Sequence, residues 1–334
     1  MRTCFANDSQ LRFFESVCME HTDGEFRAEH GRCRTDRVIN VSTVPHRSPF
    51  RYPGGKTWLV PHVRKWLRSL PKLPTEFAEP FAGGATVGLS VLFEGLAGHL
   101  TLVERDADVA SVWKTILNGH AKQLAAQITS FDLTPQSVRA LLGTPPETEL
   151  DRAFATIVRN RVQRGGIMAR GASLMKKGEN GRGIKSRWYP TTLRKRIEAI
   201  GELRDRVTFI QGNGMAFLRY SAHRRETAFL IDPPYTVAGR RLYAHSDVDH
   251  EKLFELASSV KGDFLMTYDN TKEIERLAKQ YGFDTQQVAM KNTHHTVMTE
   301  LLVGKDLGWA RVTDTSICPE SSPQTSLALS RGLQ

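Results

Sequence analysis

Between Phe77 and Glu104 the chain reads as strand, glycine turn, helix, strand and acid. Phe77-Ala78-Glu79-Pro80 leads into Gly83-Gly84, a helical stretch runs from about Thr86 to Gly95, and the apolar run His99-Leu100-Thr101-Leu102-Val103 ends at Glu104. A strand, a tight glycine turn and a helix, with an acid about 20 residues after the glycines, is the grammar of a nucleotide-binding βαβ unit. The expected fold class is therefore α/β, built on an open sheet with ligands at the carboxyl ends of its strands.

The remaining texture agrees with that class. Trp58, Leu59, Val63, Trp66, Leu67 and Leu70 fall near helical spacing, with Pro71 and Pro74 as stops. Helical stretches are expected at Ala110–Leu117, Pro135–Leu142, Arg152–Arg161, Thr192–Arg204, Asp249–Val260 and Lys272–Tyr281. Strands are expected at Val207–Ile210, Ala228–Ile231, Phe264–Tyr268, Thr285–Met290 and Glu300–Val303. The 334 residues exceed one typical domain, so an insertion or a second domain is expected. No run of 18 apolar residues occurs and the N-terminus lacks a signal-peptide core, which points to a cytoplasmic protein outside the membrane.

Three of the four cysteines, Cys4, Cys18 and Cys33, lie in the first 33 residues and none lies in the body, which suits a reducing compartment. Cys18, His21, His30 and Cys33 have a spacing that a zinc ion would accept, but they match no standard finger, and the expected metal count is none. The formal charge of +10 is concentrated: Asp151 to Arg204 holds 14 Lys or Arg against 4 Asp or Glu. A polyanionic partner is the first reading.

Asp232-Pro233-Pro234-Tyr235 follows an apolar strand directly, where an open α/β sheet places its chemistry. The amino group of an aromatic base is a poor nucleophile because its lone pair is delocalised into the ring. Asp232 offers an acceptor for one amino hydrogen and the Pro233 carbonyl an acceptor for the other. The prolines remove competing donors and stiffen the turn, and Tyr235 supplies a face for base stacking.

At these residues the chain resembles the Dam-type, alpha-class family of DNA adenine-N6 methyltransferases, over roughly 50–305. Phe50-Arg51-Tyr52-Pro53-Gly54-Gly55-Lys56 resembles the family's opening Gly-Gly-Lys motif, and Phe77-Ala78-Glu79-Pro80-Phe81-Ala82-Gly83-Gly84-Ala85 its cofactor loop. The resemblance implies a Rossmann-like methyltransferase sheet with an inserted, mostly helical DNA-recognition domain, S-adenosylmethionine as cofactor, and an adenine flipped out of duplex DNA.

It assigns catalysis to Asp232, Pro233, Pro234 and Tyr235. Cofactor contacts fall to Tyr52, Gly54, Gly55, Lys56, Glu79, Pro80, Phe81, Gly83, Gly84, Ala85, Glu104, Asn213 and Asp232. Glu79 would receive the methionine ammonium, and Glu104, or failing it Asp106, the ribose hydroxyls. Asn213 stands where the family has an acid that reads the cofactor adenine, so an uncharged amide replaces a carboxylate there. Tyr243, Asp249-His250-Glu251, Thr267-Tyr268-Asp269-Asn270 and Thr299-Glu300-Leu301-Leu302 resemble later family elements, with Asp249 read as a helix cap.

The basic segment occupies the slot of the family's DNA-reading insertion, and Asn160-Arg161 followed by Gly166 resembles its loop element near the bases. Asn160, Arg161, Arg164, Lys185, Arg240 and Tyr243 are accordingly expected to face DNA. The expected layout is an extension without order over 1–47, a catalytic domain over 48–120 and 205–307, an inserted recognition domain over 121–204, and a disordered tail over 308–334. Arg164 to Tyr189 reads as a mobile loop. The expected state is a monomer on double-stranded DNA, with or without a cognate restriction endonuclease. Cytosine-N4 methylation and a catalytically silent DNA-binding relative are the rival readings.

Overall fold

The computed structural model describes residues 41–51, 56–163, 173–176, 178, 181–234, 248–291 and 297–311, which belong to one compact unit. Its frame is a seven-stranded Rossmann-like sheet in the order β3-β2-β1-β4-β5-β7-β6. The strands are β1 (Glu76–Glu79), β2 (His99–Glu104), β3 (Val207–Gln211), β4 (Thr227–Ile231), β5 (Asp263–Asp269), β6 (Asp284–Lys291) and β7 (Val297–Gly304). Parallel pairing runs from β3 through β5, and β7 enters antiparallel to both β5 and β6.

Both faces of the central strands are covered, so they carry near-continuous apolar runs; every residue of β4 is buried. Alternation then sorts the side chains. Phe77, Leu100, Leu102, Ala228, Leu230 and Leu265 join one apolar cluster, while Ala78, Val103, Phe229, Ile231, Phe264 and Met266 join another. The second cluster is closed by α8 (Gly214–Ser221), α9 (His250–Ser259) and α10 (Lys272–Gln280), through Phe217, Leu253, Phe254, Ile274 and Leu277.

The first cluster is larger. It takes in α1 (Leu59–Ser69), α2 (Thr86–Phe93) and α3 (Ala107–Thr115), and continues into the inserted helices α4 (Ala121–Ser130), α5 (Pro135–Gly143), α6 (Glu149–Val162) and α7 (Pro190–Gly201). A π-helical turn over Ile116–His120, with Gly119 at φ 90°, swings the chain from α3 into α4. Thr134 and Thr148 start α5 and α6 with capping boxes completed by Ser137 and Asp151. Because Leu124, Ile157, Val158 and Ile197 share one apolar cluster with the sheet, the insertion has no separate core.

Three further expectations change. Val44 is 3% exposed and the Arg47 guanidinium lies 4.2 Å from the centre of the Phe93 ring, so the last residues of the expected extension pack on the fold. Within the expected mobile loop, Ile184 and Trp188 are buried, and Trp188 meets Phe131 edge-on at 6.2 Å. A bulky apolar side chain gains more by burial than a glycine-rich setting suggests. At the other end, α11 (Gly308–Arg311) continues beyond residue 307, and Arg311 pairs with Asp284 at 2.5 Å.

Candidate active site

β1 and β4 are sheet neighbours, yet the chain leaves β1 toward β2 and leaves β4 toward β5. That divergence is the topological switch point of the sheet, where a crevice opens beyond the carboxyl ends. Glu79 closes β1 at this point and Asp232 follows β4.

Asp232 is held by donors from opposite ends of the sequence. Lys56 Nζ lies 3.2 Å from its Oδ1, and the Thr267 hydroxyl on β5 donates to the same oxygen at 2.5 Å. Lys56 is fixed in turn by Glu300 on β7 at 2.9 Å. Burial alone pulls the Lys56 ammonium down, but the Asp232 and Glu300 carboxylates outweigh it and hold its pKa above the ordinary value. Asp269 is pushed up by burial, with Lys56 opposing and Asp232 adding to the rise. Two donors converge on Oδ1 and none among the described residues binds Oδ2. The second oxygen of Asp232 can therefore accept a proton-bearing group from a ligand.

Thr267 and Glu300 complete this arrangement and were not singled out in the sequence as site residues. Their signal lay in the Thr267-Tyr268-Asp269 and Thr299-Glu300-Leu301 runs. Tyr268, behind them, is buried with its hydroxyl 3.0 Å from His250 Nδ1, and burial raises its pKa well above the phenolic range. Burial lowers the His250 pKa, against the opposing charges of Glu273 and Asp249.

The loop after β1 forms the adjoining wall. Pro80 and Ala85 are buried, Phe81, Gly83 and Gly84 are partly exposed, and Gly83 and Ala85 both have positive φ, at 47° and 48°. Ala85 is the only non-glycine among the described residues in that region of backbone space, a strained choice at the entry to α2. The loop is tied by Trp113 Nε1 to the Gly83 carbonyl at 2.9 Å and by the Ser48 hydroxyl to the Gly84 carbonyl at 2.5 Å. Gly214, at the start of α8, abuts it so closely that a Cβ there would lie 2.0 Å from the Pro80 oxygen.

Glu79 sits beneath this loop, 4% exposed, with Oε1 accepting the Gly88 N–H at 2.5 Å. Burial drives its pKa up to about 8; the Gly88 bond opposes the rise and the charge of Asp232 adds to it. Glu104, at the tip of β2, accepts the Gly83 N–H at 2.9 Å on one oxygen and the Asp106 N–H at 2.7 Å on the other. The Arg105 N–H also bonds to this carboxylate, and of its roughly four lone-pair sites one is left to a ligand. Asp106 caps α3 through Asp108 and Val109, which commits the alternative ribose acid to the helix.

Asn213 differs from the expectation. Its Oδ1 accepts the Met215 and Ala216 N–H groups as the cap of α8. Only a side-chain oxygen can do this, so the outward-facing group is the amide NH2, a donor. The expected acceptor for an adenine amino group is turned into the helix.

Taken together, Gly83, Glu104, Glu79 and Asn213 offer a close-approach backbone, two carboxylates at different depths and one amide donor around the switch point. This donor set suits a nucleoside with a cationic tail, and it fits S-adenosylmethionine.

Asn160 and Arg161 are buried rather than surface-facing. The Asn160 amide accepts from the Arg51 N–H at 2.9 Å and donates to the Arg51 carbonyl at 2.8 Å, while Arg161 Nη2 donates to the Pro49 carbonyl. They clamp the chain ahead of Lys56. Lys185 is exposed, in a 3₁₀ turn. Tyr52, Gly54, Gly55, Tyr235, Arg164, Arg240 and Tyr243 lie outside the described residues, as do Cys18, His21, His30 and Cys33. Among the described residues no cluster of His, Cys, Asp or Glu is arranged to hold a metal, and no helix is long and apolar enough to cross a membrane.

An open cavity of about 440 Å³ lies at the amino ends of β1 and β2, lined by Glu76, His99, Thr101 and Arg224. It is on the wrong edge of the sheet for the switch point. Glu76 is already paired there with Arg224 at 3.0 Å and with Thr101 and Thr227, a set that staples three strands.

No protein-family model and no curated protein matches the chain. Among solved structures it is similar to the rRNA methyltransferase aviRa of Streptomyces viridochromogenes, at 13% identity over 79% of this chain and 90% of that one, with a TM-score of 0.38. It is also similar to the precorrin-6y C5,15-methyltransferase of Geobacter metallireducens, at 10% identity over 76% and 93% of the two chains, with a TM-score of 0.35. Likeness at this level is no guide to substrate.

Proposed function

We propose that the chain is an S-adenosylmethionine-dependent methyltransferase acting on the N6 amino group of adenine in DNA. The observation that carries this reading is the Asp232 carboxylate at the switch point, with Oδ1 fixed by Lys56 and Thr267 and Oδ2 left to a ligand. A carboxylate held this way accepts an amino hydrogen and draws electron density onto the nitrogen. The Pro233 carbonyl is the second acceptor, and neither Pro233 nor Pro234 carries an N–H to compete.

When bound, S-adenosylmethionine supplies a methyl group activated by its sulfonium. The chain supplies position: Glu104 faces the ribose hydroxyls, Glu79 lies under the glycine loop on the side of Asp232, and Asn213 directs a donor toward the base. Rate then comes from proximity and alignment of the amino nitrogen with the methyl carbon. Lys56, fixed between two acids, keeps Asp232 oriented throughout. The basic insertion supports a polyanionic substrate, and the acid in the Asp-Pro-Pro-Tyr run supports adenine over cytosine.

The test is single-molecule mapping of modified bases in plasmid DNA from cells expressing the protein, beside an Asp232→Ala control. Methyladenine at one short motif, absent from the control, is the expected result. Methylcytosine would reassign the base. Unmodified DNA from folded, well-expressed protein, or equal modification in the control, would remove the reading.

A further inference from the structure

Acids of four strands stand in a row across the carboxyl ends of the sheet. Alternation puts Glu79 of β1, Asp232 after β4, Thr267 and Asp269 of β5 and Glu300 of β7 on one face, the face of Phe77, Leu230, Leu265 and Leu302. Register seats Asp269 beside Glu300, while the Thr267 hydroxyl reaches Asp232. Three of these acids are committed. Asp232 Oδ1 is held by Lys56 and Thr267, Glu300 holds Lys56, and Glu79 takes the Gly88 N–H.

Asp269 differs from them, with no hydrogen-bond or ion-pair partner among the described residues. It lies two residues beyond Thr267, about 7 Å further along the strand at a rise of about 3.3 Å per residue, on the side where the crevice opens. Lys56 and Asp232 are the charged groups that act on it, with Glu300 alongside on β7. Burial raises its affinity for a proton, Lys56 opposes the rise and Asp232 adds to it.

Methylation of an amino group creates a demand that the committed acids do not meet. The nitrogen lone pair forms the bond to the methyl carbon as the carbon–sulfur bond breaks and leaves its electron pair on sulfur. The positive charge passes to nitrogen, which must shed one hydrogen. Asp232 is occupied in orienting that nitrogen.

We propose that Asp269 is the proton acceptor for the reacting amino nitrogen, taking its hydrogen as the methyl group arrives and passing it to water at the open end of the crevice. The proposal rests on the amino-methyltransferase reading of the site. A hydrogen bond from the nitrogen to Asp232 Oδ2 takes up about 2.9 Å of the span between the two carboxylates, and a second hydrogen bond or one bridging water closes the rest. The N–H bond breaks with its electron pair returning to nitrogen, an O–H bond forms on Asp269, and the product is a neutral methylamino group beside a protonated carboxyl.

The experiment is single-turnover methyl transfer from labelled S-adenosylmethionine to plasmid DNA, with the full-length protein in excess and pH varied, for wild type, Asp269→Asn and Asp269→Glu. General bases contribute typically about 10²–10⁴-fold, so the Asn protein is expected to lose about a hundredfold in rate and with it the fall in rate that wild type shows toward acid pH. The Glu protein keeps that fall and part of the rate. Calorimetry should show unchanged S-adenosylmethionine affinity in both variants. Carbon-13 NMR of protein labelled at the aspartate carboxyls, with the Asp269 signal identified by its absence from the Asn protein, should show it titrating above the ordinary aspartate value, in step with the wild-type rate.

An Asn protein with the wild-type rate and pH profile, a signal that does not titrate, or cofactor affinity lost in parallel with rate would overturn the role. The two readings fail separately. Wild type that methylates adenine beside an equally active Asn protein removes Asp269 alone, whereas folded wild type that methylates no amino group in DNA removes both.

Discussion

Glu79→Gln tests the electrostatics of the switch point most directly. Glu79 is buried under the glycine loop, and burial raises its pKa from the ordinary 4.5 to about 8. An acid whose folded pKa is raised contributes stability that is fully present below the unfolded value, about 4.5, and is lost as pH rises through about 8. In that window the unfolded chain is ionised and the folded one is not.

At about 1.36 kcal/mol per pH unit the wild type should lose on the order of 4–5 kcal/mol between pH 4.5 and 8 from this group. Glutamine retains an acceptor for the Gly88 N–H but cannot ionise. The difference in stability between the two proteins, measured by urea denaturation at intervals from pH 5 to 9, should therefore widen steadily in favour of the variant up to about pH 8 and then level. A fixed offset from the new amide hydrogens shifts every point equally and leaves the slope intact. Parallel stability curves across the whole range would refute the argument. With S-adenosylmethionine present the ordering should narrow, because a cationic ligand group favours the ionised form of Glu79 and has less to gain beside Gln.

Thr267→Val removes the hydroxyl from Asp232 Oδ1 while keeping its shape. Hydrogen bonds to charged groups are worth about 1.5–3 kcal/mol, so turnover should fall roughly tenfold or more, with KM for the cofactor unchanged and activity largely recovered in Thr267→Ser; equal activity in the Val protein would deny the positioning role. Asn213→Asp keeps an oxygen for the α8 cap and adds a second one facing outward, so cofactor affinity by calorimetry should tighten several-fold. An unchanged Kd would place the adenine elsewhere.

The sheet and the Asp232 turn were legible because both write themselves into short stretches of sequence. Apolar runs such as Thr227–Ile231 announce a strand covered on both faces, and a proline pair after an acid announces a stiff turn. Glu300 was less legible: it meets Lys56 across 244 positions, and only the antiparallel insertion of β7 beside β5 brings it there. Asn213 and Asn160 show another limit. Their residue types are those of ligand-reading side chains, but backbone groups take the same atoms: the first turn of its own helix for Asn213, and Arg51, 109 positions away, for Asn160. Helix α4 and the short α8 were not expected, the first because Asn118-Gly119-His120 reads as a stop, whereas a π-helical turn there carries the chain on from α3.

The clamp of Asn160 and Arg161 on residues 49–51, together with the Arg159–Asp108 ion pair at 2.7 Å, bolts the inserted helices to the frame at two points. The stretch 121–204 is therefore not a cassette that can be exchanged by itself. A transplant cut at the edges of 121–204 would leave a buried amide and a buried guanidinium facing a foreign loop, and the loop is the one that delivers Lys56 to Asp232. A working graft would have to carry the stretch before Lys56 along with the helices that grip it.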